Sequence, residues 1–121
     1  MRENILRDES YSFALKVITI CRNLTKQKEY ILSKQLIRSG TAIGALVRES
    51  EYAQSRADFV NKLSVALKEA NETEYWLLLL KDSNYITQGI HDEVSPEIDK
   101  LISILVSSIK TAKGKMKKTK E

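Results

Sequence analysis

The chain contains very few of the residues that break helices or build a covalent framework. Its 121 residues include one proline, four glycines, one cysteine and one histidine. So few Pro and Gly residues leave too few tight turns for an all-β fold, whereas the abundant Ala, Leu, Glu and Lys favour helices. The composition predicts an all-α protein with one folded domain.

The lone cysteine and histidine exclude several kinds of site. Cys21 has no second cysteine with which to form an intramolecular disulfide or a multi-cysteine zinc site. His91 is the only histidine, and no Glu-x-x-His pair is present to build a dimetal centre inside a helical bundle. We expect His91 in a solvated loop, and we expect no metal, no cofactor and no enzymatic activity.

Long apolar runs are also missing. The longest, residues 76–80, is far too short to cross a bilayer, and the polar start MRENILRDES lacks the apolar centre of a signal peptide. We therefore expect a soluble, cytoplasmic protein.

Positive charge is concentrated at the C-terminus. The net charge is +4, but residues 1–109 carry fourteen positive and fifteen negative side chains. The remaining positive charge comes from six lysines: Lys110, Lys113, Lys115, Lys117, Lys118 and Lys120. We predict a bundle domain over residues 1–112 and a flexible basic tail over 113–121, which either solubilises the protein or binds phosphate.

Apolar residues at three- and four-residue intervals predict amphipathic helices. The first covers about residues 11–25, after an N-cap at Asp8 or Ser10, and the second covers about residues 30–52. The stripe of the first helix consists of Phe13, Val17, Ile20 and Leu24, and that of the second of Leu32, Leu36, Ser39, Ile43 and Leu46.

The third helix begins after Ser55, because Asp58 three residues later completes an N-terminal capping pattern. Its two apolar stripes favour two packing partners, either a second subunit or a further helix of the same chain. They consist of Val60, Leu63, Leu67, Ala70 and Leu77, and of Phe59, Ala66, Thr73 and Leu80. The fourth helix is predicted from about Pro96, with Ser95 as its cap, to Gly114.

Two glycines in the second helix predict a close helix contact. Gly40 and Gly44 lie four residues apart on one helix face, and each costs roughly 1 kcal/mol of helix stability relative to alanine. A close approach by another helix explains their presence, with a local kink as the alternative. Because the connections are short, we predict an up-down-up-down antiparallel four-helix bundle.

The middle of the chain resembles a known family. The segment LSKQLIRSGTAIGALVRESEYAQSRADFVNKLSVALKEANETEYWL is similar to the four-helix bundle proteins of intervening sequences in bacterial 23S ribosomal RNA genes. Its family-like residues are Leu36, Ile37, Arg38, Ser39, Gly40, Ile43 and Gly44, then Glu49, Ser55, Phe59 and Leu63, then residues 66–70 with Glu72 and Glu74.

This resemblance implies a homo-oligomer, specifically a pentameric ring. It also implies a relation to the accessory protein of diversity-generating retroelements, a barrel of bundles that binds nucleic acid and a reverse transcriptase. The near-neutral body of the present chain differs from a strongly basic protein of that kind.

Basic side chains form the candidate nucleic-acid site, because phosphate contacts by Lys and Arg release counterions. The candidates are Arg22, Lys26, Lys34, Arg38, Lys62, Lys68, Lys113, Lys115, Lys117 and Lys118. A solvated face of mixed charge is the alternative. The candidates for helix or subunit packing are Gly40, Gly44, Phe59, Leu63, Leu67 and Trp76.

Glu74 is the one carboxylate predicted to lie near an apolar stripe of the third helix. A structural ion pair with Arg38 or Arg48 is the expected explanation. Two functions follow from the sequence: an oligomeric scaffold that binds RNA, DNA or a nucleic-acid enzyme, and a protein-binding assembly module with no role in nucleic-acid binding.

Overall fold

A computed structural model describes the backbone of residues 2–120 and the side chains of residues 5–117. This part of the chain forms four helices and no strand, as the composition predicts. They are α1 (Arg2–Lys26), α2 (Ile31–Ser50), α3 (Arg56–Asp82) and α4 (Gln88–Lys120).

Successive helices run antiparallel in a four-helix bundle. Contacts join α1 with α2, α2 with α3, α3 with α4 and α1 with α4. The antiparallel register between α1 and α4 is visible in two ion pairs, Lys16 with Glu97 and Lys100 with Glu9, in which the residue number rises along one helix as it falls along the other. The connections, residues 27–30, 51–55 and 83–87, are too short to run back along a helix, so successive helices that pack together are antiparallel and the predicted up-down-up-down order is confirmed.

The bundle has two ends, and we name each end after a connection that lies there. The α1–α2 end holds residues 27–30 and 83–87, tied together by a hydrogen bond of 3.1 Å from Gln27 Nε2 to the carbonyl oxygen of Tyr85. The α2–α3 end holds residues 51–55, the start of α1 and the end of α4.

The start of α1 differs from its prediction. The helix begins at Arg2, so Asp8 and Ser10 lie inside it and neither caps it. Leu6 is buried and adds a turn to the apolar stripe. Ser10 is also buried and donates its hydroxyl to the carbonyl oxygen of Arg7 at 3.1 Å, which lets a serine occupy a core position.

The helices α2 and α3 begin close to where they were predicted. Glu29 stabilises the start of α2, because its Oε1 accepts hydrogen bonds from the amides of Leu32 and Ser33 at 2.6 and 3.0 Å. At α3, Ser55 Oγ accepts from the amide of Asp58 at 3.0 Å, and Asp58 Oδ2 accepts from the amide of Gln54 at 3.1 Å. The cap predicted from Ser55 and Asp58 is confirmed, although Asp58 bonds to the amide of the residue before the N-cap and not to that of Ser55.

The helix α4 is much longer than predicted at both ends. It begins at Gln88, where Thr87 Oγ1 accepts a hydrogen bond from the amide of Ile90 at 3.1 Å. The cap proposed at Ser95 was wrong, and Pro96 lies inside the helix, where its ring faces solvent. The helix then continues through Gly114 to Lys120. The flexibility of residues 113–121 stays a prediction.

One core joins the four helices. The predicted stripe of α1 is buried throughout, and both stripes of α3 contribute to the same core, Leu63, Ala70 and Leu77 from one and Ala66, Thr73 and Leu80 from the other. Because α3 packs on both α2 and α4, helices of the same chain cover most of its two apolar stripes. The breadth of α3 is therefore no argument for a second subunit.

Candidate nucleic-acid interface

A polar layer between α2 and α3 contains Arg38, one of the residues predicted to bind nucleic acid. Arg38 Nη1 lies 2.9 Å from Glu69 Oε2, and Arg38 Nη2 lies 2.7 Å from Glu72 Oε2. Glu69 is only 8% exposed, so its charge needs this partner. The hydrogen bond from Arg38 lowers the pKa of Glu72. Arg38 therefore joins two helices, and its guanidinium is already engaged by carboxylates.

The prediction for Glu74 was wrong. Arg38 pairs with Glu69 and Glu72, whereas Arg48 lies over the ring of Tyr11, 5.7 Å from its centroid. Glu74 instead faces Asp99 on α4, and a hydrogen bond shared between the two carboxyl groups raises the pKa of Glu74. The helical period alone put Glu74 nearest the apolar stripe, but its side chain is exposed.

The buried polar atoms near this layer are almost all satisfied. Thr73 donates its hydroxyl to Ser39 Oγ at 2.9 Å. Trp76 Nε1 is the exception among the described side chains, since it is buried without a hydrogen-bond partner. The indole N–H still makes a small contribution to lowering the pKa of Glu72.

The predicted basic residues do not form one surface. Arg22, Lys26 and Lys34 are exposed at the α1–α2 end. Lys62 Nζ lies 3.4 Å from Glu49 Oε1, across the α2–α3 contact, and Lys68 is exposed near the middle of α3. The lysines of the C-terminus lie at the opposite end from the first group. Sequence order could not show this separation, because it arises from the antiparallel packing.

The C-terminal lysines form a stripe on α4. At about 100° per residue, Lys110, Lys113 and Lys117 fall on one helix face, and all three are exposed. We call these three residues the lysine stripe. Lys115 points to the other side of α4 and lines a cleft. The side chain of Lys118 lies outside the described side chains.

That cleft opens at the α2–α3 end of the bundle. Its volume is about 610 Å³. Its apolar lining includes Leu6, Val47, Phe59, Leu63 and Ala112, and its charged lining is Arg7, Glu51, Arg56 and Lys115. Sequence reasoning missed Arg7 and Arg56, because one lies on α1 and the other on α3 and only packing brings them together.

The predicted packing residues lie in the core or at its edge. A Cβ atom at Gly40 would lie 2.9 Å from Val17 Cγ1 and Cγ2, and one at Gly44 would lie 3.4 Å from Ser10 Oγ. Both glycines therefore allow α1 to pack closely on α2. Leu63 is buried, and the remaining candidates pack against the core while partly exposed: Phe59, Leu67 and Trp76.

His91 and Cys21 occupy sites of different kinds. His91 lies in the first turn of α4 and not in a loop, because that helix begins at Gln88.

Cys21 is buried, its thiol lies 3.5 Å from the carbonyl oxygen of Ser33, and burial raises the pKa of the thiol. Among the described side chains, no group of three or more His, Cys, Asp or Glu residues is placed to hold a metal ion.

Comparison with known proteins places this bundle in a family. The model of the 23S rRNA-intervening sequence protein family matches residues 2–107. This chain belongs to that family. The match includes all of α1, α2 and α3 and most of α4.

A solved member of a similarly named family has the same fold. It is a protein of unknown function from the S23 ribosomal protein family of Bacteroides thetaiotaomicron VPI-5482, 49% identical in sequence. The alignment covers 91% of this chain and 99% of that one, with a TM-score of 0.89. A search of the curated proteins found no match. Over the described residues, no helix of this intervening-sequence protein is both long and apolar enough to cross a membrane.

Proposed function

We propose that this protein is a cytoplasmic, non-enzymatic, homo-oligomeric scaffold that binds nucleic acid, with RNA as its first ligand, through the lysine stripe. The observation that carries the proposal is the continuation of α4 past Gly114 as a helix. A helix holds Lys110, Lys113 and Lys117 on one exposed face, whereas an unfolded tail would hold them in no fixed arrangement.

The physical basis of binding is contact with phosphates. Each lysine that neutralises a phosphate releases condensed counterions, so binding of this kind weakens as salt rises. Lysines on a helix face recognise the charge and the spacing of the phosphates. Without contacts to the bases in a groove, they do not distinguish one base from another. The proposed binding is accordingly strong at low salt and tolerant of sequence.

The names of the relatives support RNA as the ligand to test first. The family takes its name from 23S rRNA intervening sequences, and the solved neighbour is assigned to a ribosomal protein family. The resemblance to the accessory protein of diversity-generating retroelements supports a nucleic-acid ligand in the same way. A reverse transcriptase is the partner that this resemblance adds to the proposal.

Oligomerisation is the second part of the proposal. Large apolar side chains remain exposed on the outer side of α1 and α2, among them Leu15, which is 50% exposed, and Ile31, which is 77% exposed. Burial of apolar surface of this kind drives association between subunits. A pentameric ring, as the family resemblance implies, would repeat the lysine stripe five times and raise the avidity for one RNA.

The test is a titration of the protein into a fluorescently labelled structured RNA at several salt concentrations. We compare wild type with the triple variant Lys110→Ala, Lys113→Ala, Lys117→Ala. The control is the triple variant Arg22→Ala, Lys26→Ala, Lys34→Ala, which removes the same charge at the opposite end. If all three lysines of one stripe contact phosphates, the slope of log affinity against log salt falls by about 2 to 3 in the first variant.

The control variant distinguishes binding at the lysine stripe from a general effect of lost positive charge. Equal losses in both variants, or no binding by wild type at low salt, would contradict the lysine stripe as the site. Circular dichroism shows whether each variant keeps its helical content.

A protein-binding assembly module is the second candidate function, and the exposed apolar residues of α1 and α2 favour it. Capture of a protein partner that survives nuclease treatment and depends on Leu15 and Ile31 supports this candidate. Loss of the captured partner on nuclease treatment supports the scaffold for nucleic acid instead.

A further inference from the structure

The cleft at the α2–α3 end combines an apolar floor with a cationic rim. Its floor consists of side chains from all four helices, Leu6 of α1, Val47 of α2, Phe59 and Leu63 of α3, and Ala112 of α4. Its volume of about 610 Å³ lies in the range of small-molecule sites. The shape is suited to a ligand with an apolar body that enters between the helix ends.

Three of the four charged residues that line the cleft are cations. Arg7, Arg56 and Lys115 face the cleft, with Glu51 as the one acidic residue of the lining. Glu51 is held by Arg7, whose Nη1 lies 3.5 Å from Glu51 Oε1. Asp58, in the first turn of α3, accepts the hydrogen bond from the amide of Gln54. Glu51 and Asp58 therefore already have partners.

Arg56 is the cation best placed to bind an added anion. It is exposed, it is the first residue of α3, and the positive end of the helix dipole adds to its charge. No ion pair joins its guanidinium to any other side chain between residues 5 and 117. A carboxylate or phosphate can accept two parallel hydrogen bonds from such a group.

We propose that this cleft binds an amphipathic anion, a medium-length acyl or alkyl chain that carries a carboxylate or a phosphate. The chain lies on the apolar floor and the anionic head is bound by Arg56 at the rim. The site is distinct from the lysine stripe, because Lys110, Lys113 and Lys117 do not line the cleft.

The experiment uses isothermal titration calorimetry with the full chain. The probes are octanoate and octyl phosphate, which share the chain and differ in the head, with 1-octanol as the neutral chain and acetate as the head without a chain. We expect one site per protomer for octanoate or octyl phosphate, and weaker binding of both control probes. The tighter of the two anions identifies the head group.

Two variants locate the site. Arg56→Ala removes the proposed anchor, and affinity for the anionic probes should fall about tenfold or more. Ser108→Leu places an apolar side chain in the cleft and should abolish binding, since Ser108 lines it. Lys68→Ala, an exposed cation on α3 outside the cleft, is the matched control and should bind as wild type does.

Three results would overturn the proposal. They are no heat from either anionic probe at millimolar concentration, binding of 1-octanol as tight as that of octanoate, and unchanged affinity in Arg56→Ala. Sedimentation of each variant adds a fourth, because a changed subunit count in Ser108→Leu would assign the cleft to a contact between copies of the chain. Thermal melting confirms that each variant is folded before it is titrated.

Discussion

At the residue scale, the contact between α1 and α2 depends on a missing side chain. Gly40 is buried against Val17, a β-branched core residue with almost no freedom to move. The glycine lowers the intrinsic stability of α2, and the close contact between two helices compensates for that cost.

Gly40→Ala should therefore destabilise the protein by about 1–3 kcal/mol, because the new Cβ would lie 2.9 Å from two methyl carbons of Val17. Urea denaturation measures the change. Gly114→Ala is the control, since no atom lies within 4 Å of the Cβ position there, and it should stabilise α4 by about 0.5–1 kcal/mol. A stabilising effect at both positions would contradict the tight contact.

The carboxyl pair of Glu74 and Asp99 gives a second prediction at this scale. Because the folded pKa of Glu74 is raised, the pair stabilises the protein at low pH, and this contribution is lost as pH rises through the folded pKa. Glu74→Gln should stabilise the protein at pH 7 by about 0.5 kcal/mol, the size typical of exposed charge pairs.

Thermal melting at pH 7 and pH 4 measures this difference, which should be smaller at pH 4. A double-mutant cycle with Asp99→Asn shows whether the two carboxyl groups interact, since independent groups would give additive changes. Destabilisation by Glu74→Gln at pH 7 would show that its carboxylate has a favourable partner instead.

At the scale of the elements, α2 and α3 are joined by ion pairs and hydrogen bonds as well as apolar packing. Arg38 reaches two carboxylates one turn apart on α3, and Ser39 meets Thr73 beside them. Such polar contacts specify the register of two helices more narrowly than apolar contacts do, because hydrogen bonds require matched partners.

Arg38→Met should destabilise the protein at pH 7 by about 1 kcal/mol, since it leaves the mostly buried Glu69 without its partner. Because the folded pKa of Glu72 is lowered, its carboxylate stabilises the fold at pH values above 4.5, the ordinary pKa of the group. This contribution is lost as pH falls through the lower folded pKa. The deficit of the variant should therefore shrink below pH 4.5.

Urea denaturation across this pH range measures the deficit. Lys34→Met is the matched control, an exposed cation on the same helix. A deficit in Arg38→Met that is independent of pH would indicate lost packing by the arginine side chain rather than lost ion pairs.

At the scale of the whole molecule, the bundle carries distinct features at its two ends. The α2–α3 end holds the cleft and the lysine stripe, whereas Arg22, Lys26 and Lys34 lie at the other end. In a ring of identical subunits, each of these features would recur at every subunit, so assembly would multiply weak contacts.

The pentamer that we propose has a simple test. Sedimentation equilibrium should give a mass near 69 kDa, five times the 13.8 kDa of one chain. Leu15→Lys with Ile31→Lys should lower that mass, because both introduce charge into exposed apolar positions. Lys68→Ala is the control and should leave it unchanged. A mass of one chain at all concentrations would contradict the oligomer.

The sequence by itself determined the helical class, the number of helices, the capped start of α3 and the buried stripe of α1. These depend on local rules: helix propensity, the 3.6-residue period and capping by Ser55 act within a few residues of the chain. The same rules placed Phe13, Val17 and Leu24 in the core correctly.

Where local signals compete, only the tertiary structure decided. The polar start of α1 and the segment before Pro96 are helical because Leu6 and Val94 pack into the shared core, a gain that no local window contains. The partner of Arg38, the contact of Glu74 with Asp99 and the cleft around Arg56 likewise join residues on different helices. Their positions follow from the antiparallel packing of four helices, because distance along the chain does not set distance in space.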